Sequence, residues 1–294
     1  MTRRSPGPDF ICIGQQKAGT AFLHALLQRH AEIWMPPVKE LHFFSRHTKP
    51  LFTRDDGAGD GEPPNMREIE SAITGKLEKN RLDARDKEFL RRAIVLANDK
   101  TFANYCSCFE MKGEQISGDV TPAYSVLNRK AIGEIRSLLP DVSIILLIRH
   151  PVDRFWSSFN QALRRYDGDS DVLADDSGSL DNVRAFLERP GTVRRSYPSR
   201  IYKRWASVFP EDRIRVLPFE VLTGDTASAS VTLADFLGVT PRYAGGVDDI
   251  DNIKQDDRKI PMSSEAEQFL QAHFSDEVAT CKKLFGDLCA HWSE

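Results

Sequence analysis

Near the start of the chain, Gly14-Gln15-Gln16-Lys17-Ala18-Gly19-Thr20 brings two glycines, a lysine and a hydroxyl into one short turn. The turn follows an apolar run, Asp9-Phe10-Ile11-Cys12-Ile13, and precedes a helical pattern from Thr20 to Arg29. A strand, a glycine-bearing turn and a helix start aim backbone N–H groups and the positive end of the helix dipole at one point. Lys17 adds a full charge, and Thr20 can cap the helix or donate to an anion. The pattern is G-x-x-K-x-G-T, not G-x-x-x-x-G-K-[ST], so no Lys-Ser/Thr pair is present to organise magnesium. Such a turn suits a phosphate or sulfate ester held by amides and charge without a metal.

A second cationic position lies at Arg149. It ends Val142 to Ile148, an almost unbroken run of β-branched residues and leucine. Such a run has the character of a strand buried on both faces of a parallel sheet. Nucleoside triphosphatases often place a magnesium-binding aspartate at the end of such a strand. An arginine there grips a phosphate through a planar fork of donors instead. Ser157, on the helix that Pro151 opens, can add a hydroxyl to the same anion. The alternative for Arg149 is an ion pair with a neighbour such as Asp153.

These residues need a scaffold. With 294 residues and 40% hydrophobic composition, one large domain with a sizeable core is expected. A net charge of −3 gives no general support for nucleic-acid binding. No signal-like segment or membrane-length apolar run is present, so a soluble cytoplasmic protein without membrane insertion is expected. The five cysteines are irregularly spaced and do not suggest a zinc site or a disulfide framework. Cys12 reads as a small core residue.

Strands are predicted at 9–13, 115–120, 142–148 and 214–217. The alternating segment Lys39-Glu40-Leu41-His42-Phe43-Phe44 reads as a short strand or strand-like edge. Trp34 to Pro37 must be extended. Helices are predicted at 20–29, within 66–98, and at 128–139, 151–166, 181–188, 195–208, 227–237 and 263–285. Residues 1–8 read as a flexible N-terminus, and 53–65 and 167–181 as surface loops. Strands alternating with helices give an α/β fold with a mainly parallel central sheet flanked by helices. The phosphate loop then sits at the carboxyl ends of the strands.

The motifs together resemble the 3′-phosphoadenosine 5′-phosphosulfate (PAPS)-dependent sulfotransferases, a P-loop-containing family. The likeness is to the branch holding the heparan sulfate sulfotransferases and bacterial relatives. Gly14 to Thr20 is similar to their 5′-phosphosulfate loop, and Arg149 with Ser157 to their 3′-phosphate motif. Lys39 to Phe44 resembles an E-x-H-F-F segment, and Thr121-Pro122-Ala123-Tyr124 a T-P-x-Y segment. Ser199 to Trp205 resembles an S-x-Y…W helix, and Arg258-Lys259-Ile260-Pro261 a late basic loop. In that late loop, Asp256-Asp257-Arg258 stands where the family often has K-G-R. Val120 stands where glycan-modifying members often have lysine, and the late disulfide of Golgi members has no counterpart.

The resemblance implies one sulfotransferase domain over 1–294, with PAPS as sulfuryl donor, 3′,5′-adenosine bisphosphate (PAP) as product and no metal required. Glu40 is then the candidate general base, made more basic by desolvation beside Phe43 and Phe44. His42, two residues on, shares a strand face with it and can orient the acceptor or share the proton. Lys17 stabilises the leaving phosphate. Gln16, Ala18, Gly19, Thr20 and Ala21 contribute mostly backbone N–H groups. Tyr202, Arg258 and Lys259 are further cofactor contacts. The acceptor is a small molecule or glycan: a carbohydrate, glycolipid or natural-product hydroxyl. Six aspartates in 167–181 favour a neutral or cationic acceptor. A P-loop small-molecule kinase and a non-catalytic nucleotide-binding protein remain the alternatives.

Overall fold

A computed structural model describes residues 6–47, 83–165, 178–189, 191–244 and 260–293. Its centre is a four-stranded parallel sheet in the order β2-β1-β3-β4. The strands are β1 (Phe10–Gly14), β2 (Gly118–Val120), β3 (Ser143–Ile148) and β4 (Ile214–Pro218). Each falls within or beside an expected strand.

The helices are α1 (Thr20–Gln28), α2 (Ala84–Asn98), α3 (Phe102–Ser107), α4 (Arg129–Leu138) and α5 (Pro151–Arg165). They continue with α6 (Leu180–Leu187), α7 (Pro198–Ala206), α8 (Phe219–Gly224), α9 (Thr226–Leu237) and α10 (Ser264–Phe285).

Alternation along the two central strands divides the core. Ile11, Ile13, Ile144, Leu146 and Ile148 face one layer, with Ile132 and Ile135 of α4, Trp205 of α7 and Val278 of α10. Phe10, Cys12, Ile145 and Leu147 face the other, with Leu23 and Leu27 of α1 and Leu233 of α9. A third cluster joins Phe155 and Phe159 of α5 to Phe186 of α6 and Phe274 of α10. This two-sided burial is what an unbroken apolar strand requires.

β1 pairs with β2 on one side and β3 on the other. The β1–β3 register shifts between Cys12 and Gly14, a bulge that turns the chain as it leaves the sheet. Gly14 there has φ of 109°, and a Cβ on it would lie 2.8 Å from the Pro122 carbonyl oxygen. Only glycine fits both conditions.

Three expectations change. Lys39 to Phe44 is not a strand: Glu40 and His42 have φ of 65° and 52°, and a 3₁₀ turn, Phe43–His47, follows. Left-handed residues cannot extend a pleated edge. Within the expected flexible stretch 1–8, Gly7 and Pro8 are buried, and the Gly7 carbonyl accepts from Lys112 Nζ at 2.8 Å. The expected loop 167–181 ends early, because Ser179 caps α6 by accepting from the Asn182 N–H. The 53–65 loop, the helix expected before residue 83 and residues 167–177 lie outside the described residues. Among the described residues, no helix is long and apolar enough to cross a membrane.

The β1–β2 contact is tight enough to test. A Cβ on Gly118 would fall 2.1 Å from the ring of fully buried Phe10. Gly118→Ala is therefore expected to cost about 1–3 kcal/mol by overpacking, read as a lower denaturation midpoint at unchanged m-value.

Candidate active site

The turn after β1 leads directly into α1. The N-cap of α1 is Gly19, at φ 86°, with no side-chain cap. Helices α2, α3, α4, α9 and α10 instead spend an Asp, Thr, Asn or Ser side chain on that position. Without such a cap, the N–H groups of Thr20, Ala21 and Phe22 have no partner within the helix. Thr20 is the first helical residue, not the cap. The Ala18 N–H donates to the Gln15 carbonyl at 3.2 Å, so it closes the turn and does not face a ligand. Lys17 sits in the turn at φ 71°.

Because β1 and β3 are neighbours, the residue after β3 lies against this turn. Arg149 Nη1 donates to the Lys17 carbonyl at 3.2 Å, and the Arg149 N–H donates to Gln15 Oε1 at 3.1 Å. Its guanidinium lies 4.5 Å from the centroid of Phe219, the first residue of α8 after β4. The ion pair with Asp153 is not formed. Asp153 and Glu220 act on Arg149 only through space, and burial pushes the guanidinium below its usual pKa. Arg149 Nε is buried without a hydrogen-bond partner. Ser157 is half-buried on α5.

Sequence reasoning missed two buried polar residues here. Gln15 is fully buried, and its Nε2 donates to the Arg195 carbonyl at 2.8 Å. Arg154 is fully buried on α5 and donates to Gln16 O (3.1 Å), Thr192 O (3.1 Å) and Ser196 Oγ (3.0 Å). Burial, then the charge of Arg149, pushes the Arg154 pKa down to about 9. Among the described residues, neither arginine has a carboxylate within ion-pair distance. An uncompensated buried cation is costly, so this ground is prepared for an anion. Nothing in the apolar spacing of α5 marks Arg154 as more than a surface charge.

On the other side of β1, the chain leaving β2 borders the same turn. The Thr121 N–H donates to the Cys12 carbonyl at 3.0 Å, and Pro122 packs on Gly14. The Glu40 N–H donates to the Val120 carbonyl at 3.0 Å. Glu40 Oε1 lies 3.5 Å from Lys39 Nζ, and Oε2 lies 3.4 Å from His42 Nε2. Glu40 and His42 thus meet, but through a left-handed turn and not a shared strand face.

The expectation of raised basicity at Glu40 is reversed. Burial alone raises its pKa, but the hydrogen bond from His42 and the charge of Lys39 outweigh it and hold the carboxylate below its usual 4.5. The side chain remains 40% exposed.

Three further expected contacts are Tyr202, Arg258 and Lys259. The ring contact of Tyr202 is with Phe285, at 5.3 Å, and it has no hydrogen bond to the turn after β1. Arg258 and Lys259 lie outside the described residues. Ile260, just after them, accepts from Trp156 Nε1 at 3.0 Å and donates to Asn160 Oδ1 at 2.8 Å. Trp156 and Asn160 flank Ser157 on α5.

Comparison with known proteins agrees with this architecture. Residues 8–243 match the model of the sulfotransferase family. The chain therefore belongs to that family, a class of group-transfer enzymes. Over 134 residues it is 28% identical to human heparan sulfate glucosamine 3-O-sulfotransferase 6, a match covering 42% of this chain and 36% of that protein. A sulfotransferase from Alicyclobacillus acidocaldarius shares the fold, with TM-score 0.59 at 21% identity over 94% of this chain and 95% of that one. The sulfotransferase domain of the Synechococcus PCC 7002 olefin synthase gives 0.50 at 17% identity, over 93% and 96% of the two chains.

A pair of glycines tests the packing under the turn. A Cβ on Gly19 would meet the Phe219 ring at 2.8 Å, whereas Gly238, also left-handed at φ 68° and ψ 35°, has open space around it. Gly238→Ala should cost about 1–2 kcal/mol for the left-handed backbone alone. Gly19→Ala should cost about 1–3 kcal/mol beyond that for the clash. Equal losses in denaturant titration would show that Phe219 does not support the turn.

Proposed function

We propose that the chain transfers the sulfuryl group of PAPS to a hydroxyl of a carbohydrate, glycolipid or natural-product acceptor. The observation that carries this reading is the hydrogen bond from Arg149 to the Lys17 carbonyl. It joins two cationic positions into one site, which suits a ligand with anionic groups at two ends. The donor would supply an activated sulfuryl group and a phosphate leaving group. The 28% identity to a human glucosamine 3-O-sulfotransferase favours a carbohydrate hydroxyl as acceptor. Five of the six aspartates behind the expected preference for a neutral or cationic acceptor lie outside the described residues, and the sixth, Asp181, lies on α6. The reading takes 1–294 as one domain, supported by a single sheet covered on both faces and a family match from 8 to 243. A cytoplasmic location is part of the same proposal and fits five free cysteines.

Each residue has a role that its surroundings support. The N–H groups of Gly19, Thr20 and Ala21, with the charge of Lys17, hold the 5′ end and stabilise charge on the leaving phosphate. Arg149 and Ser157 hold the 3′-phosphate, with Arg258 and Lys259 proposed to cover it. The Arg149 Nε without a partner and the uncapped α1 fit an anionic ligand. Glu40 takes the acceptor proton in the transition state. Its lowered pKa keeps it ionised at neutral pH but makes it a weaker base.

The 3.4 Å contact with His42 supports a second arrangement, in which His42 takes the proton and Glu40 orients its ring. The acid limb of kcat/KM separates the two. A Glu40 base loses activity only as pH falls below the ordinary carboxylate value of 4.5. Loss of activity well above that pH would contradict a Glu40 base.

Ligand-dependent thermal shift tests the donor assignment. PAP should raise Tm by several degrees, and AMP and ATP with magnesium by much less. Lys17→Ala and Glu40→Gln should each lower sulfate transfer from PAPS by about 10²-fold or more. Glu40→Gln should keep PAP binding. Selective stabilisation by ATP with magnesium would overturn the assignment in favour of phosphoryl transfer.

A further inference from the structure

Asp119 on β2 is only 2% exposed, yet it is a carboxylate. Three hydroxyls surround it. Thr121 Oγ1 donates to Oδ1 at 2.7 Å, and Tyr105 and Tyr124 donate to Oδ2 at 2.9 and 3.1 Å. Burial raises its pKa, and the three hydroxyl bonds oppose that. A buried carboxylate carrying this much organisation needs a reason, because an apolar residue of similar size would cost less to bury.

The reason lies in what Tyr124 does with its other side. Its hydroxyl oxygen accepts the Phe44 N–H at 3.3 Å. Asp119 fixes the direction of that hydroxyl by accepting its hydrogen bond, which leaves a lone pair for Phe44. Four residues earlier, the Glu40 N–H is held by the Val120 carbonyl, one residue beyond Asp119. The segment that presents Glu40 and His42 is therefore pinned at both ends by one short stretch, 119–124. Between the pins, Glu40 and His42 hold left-handed φ values of 65° and 52°. Non-glycine residues keep such values only where the surroundings overdetermine them. Thr121 and Pro122, in the same stretch, bond Cys12 and pack on Gly14 at the start of the anion-binding turn.

We propose that Asp119, acting through Tyr124, is a positioning residue that locks the Glu40–His42 pair against the anion-binding turn. The proposal rests on the reading of that pair as the proton-handling group. It gives the T-P-x-Y segment a mechanical role: Thr121 and Tyr124 are the two hydroxyls through which the buried charge grips its neighbours. Tyr105 satisfies the same carboxylate oxygen, but its ring only packs on Phe43 and Phe44 and makes no hydrogen bond to the 40–44 segment.

That difference provides the control. Tyr124→Phe and Tyr105→Phe each remove one hydroxyl from Asp119 Oδ2 and keep the ring, but Tyr124→Phe also leaves the Phe44 N–H without its acceptor and should lower Tm more. Only Tyr124→Phe should loosen the segment. The Glu40 amide, remote from the lost hydroxyl, should exchange with deuterium about tenfold faster in Tyr124→Phe and at the wild-type rate in Tyr105→Phe, both read under native conditions. Turnover of PAPS should fall about tenfold or more in Tyr124→Phe with PAP affinity within about twofold, because misplacement costs rate before binding. Equal Glu40 exchange in the two variants, or unchanged Glu40 exchange in Tyr124→Phe, would overturn the proposal. Should Tyr124→Phe not fold, the wild type decides. Its Glu40 and Phe44 amides must be among the protected ones, and rapid exchange there sinks the idea. The exchange arm needs no donor, so an inactive wild type would count against the proposed function and leave this test standing.

Discussion

Parallel pairing of β1 between β2 and β3 is the constraint on which the rest of the site depends. Parallel strands all point the same way, so their carboxyl ends share one edge of the sheet. The anion-binding turn leaves β1 at that edge. Arg149 leaves β3 beside it, Thr121 and Pro122 leave β2 on the other flank, and Phe219 leaves β4 beneath Arg149. No single segment holds the chemistry. Each strand end brings one component, and the ladder hydrogen bonds set the spacing between them. The bulge before Gly14 lets the turn leave the sheet without breaking the β1–β3 pairing.

Charge is then arranged around that edge in two ways. On the β3 side, half-buried Arg149 and fully buried Arg154 lie among carbonyls, a hydroxyl and an aromatic ring, and among the described residues no acid pairs with them. The fold bears the desolvation cost through packing elsewhere, and an anionic ligand would return part of it. On the β2 side, a buried acid is matched by hydroxyls, and the exposed acid Glu40 is matched by Lys39 and His42. One flank carries two arginines and the other holds the left-handed turn of Glu40 and His42 in place.

The scaffold was readable because its signals are local. The Val142 to Ile148 run can only be a strand covered on both faces, and it is. The cations Lys17 and Arg149 stood out because a charge at the end of an apolar strand has few other uses. Lys39 to Phe44 misled because Leu41 and Phe43 alternate with polar residues as in a strand. Its actual shape is dictated by two distant acceptors, Val120 O and Tyr124 Oη, which no local pattern contains. Gln15, Asp119 and Arg154 were illegible for a related reason. A buried polar residue looks like an exposed one until its partners, up to 180 positions away, are brought beside it.

The central claim is that one doubly anionic ligand spans the turn holding Lys17 and the guanidinium of Arg149. Calorimetric titration of wild type and Arg149→Gln with 3′,5′-adenosine bisphosphate and with 5′-AMP tests it as a two-by-two cycle. The account predicts that Arg149→Gln weakens the bisphosphate about tenfold or more and leaves 5′-AMP nearly unchanged, a coupling of about 1.4 kcal/mol or more. Equal weakening of both ligands, or of neither, would contradict it.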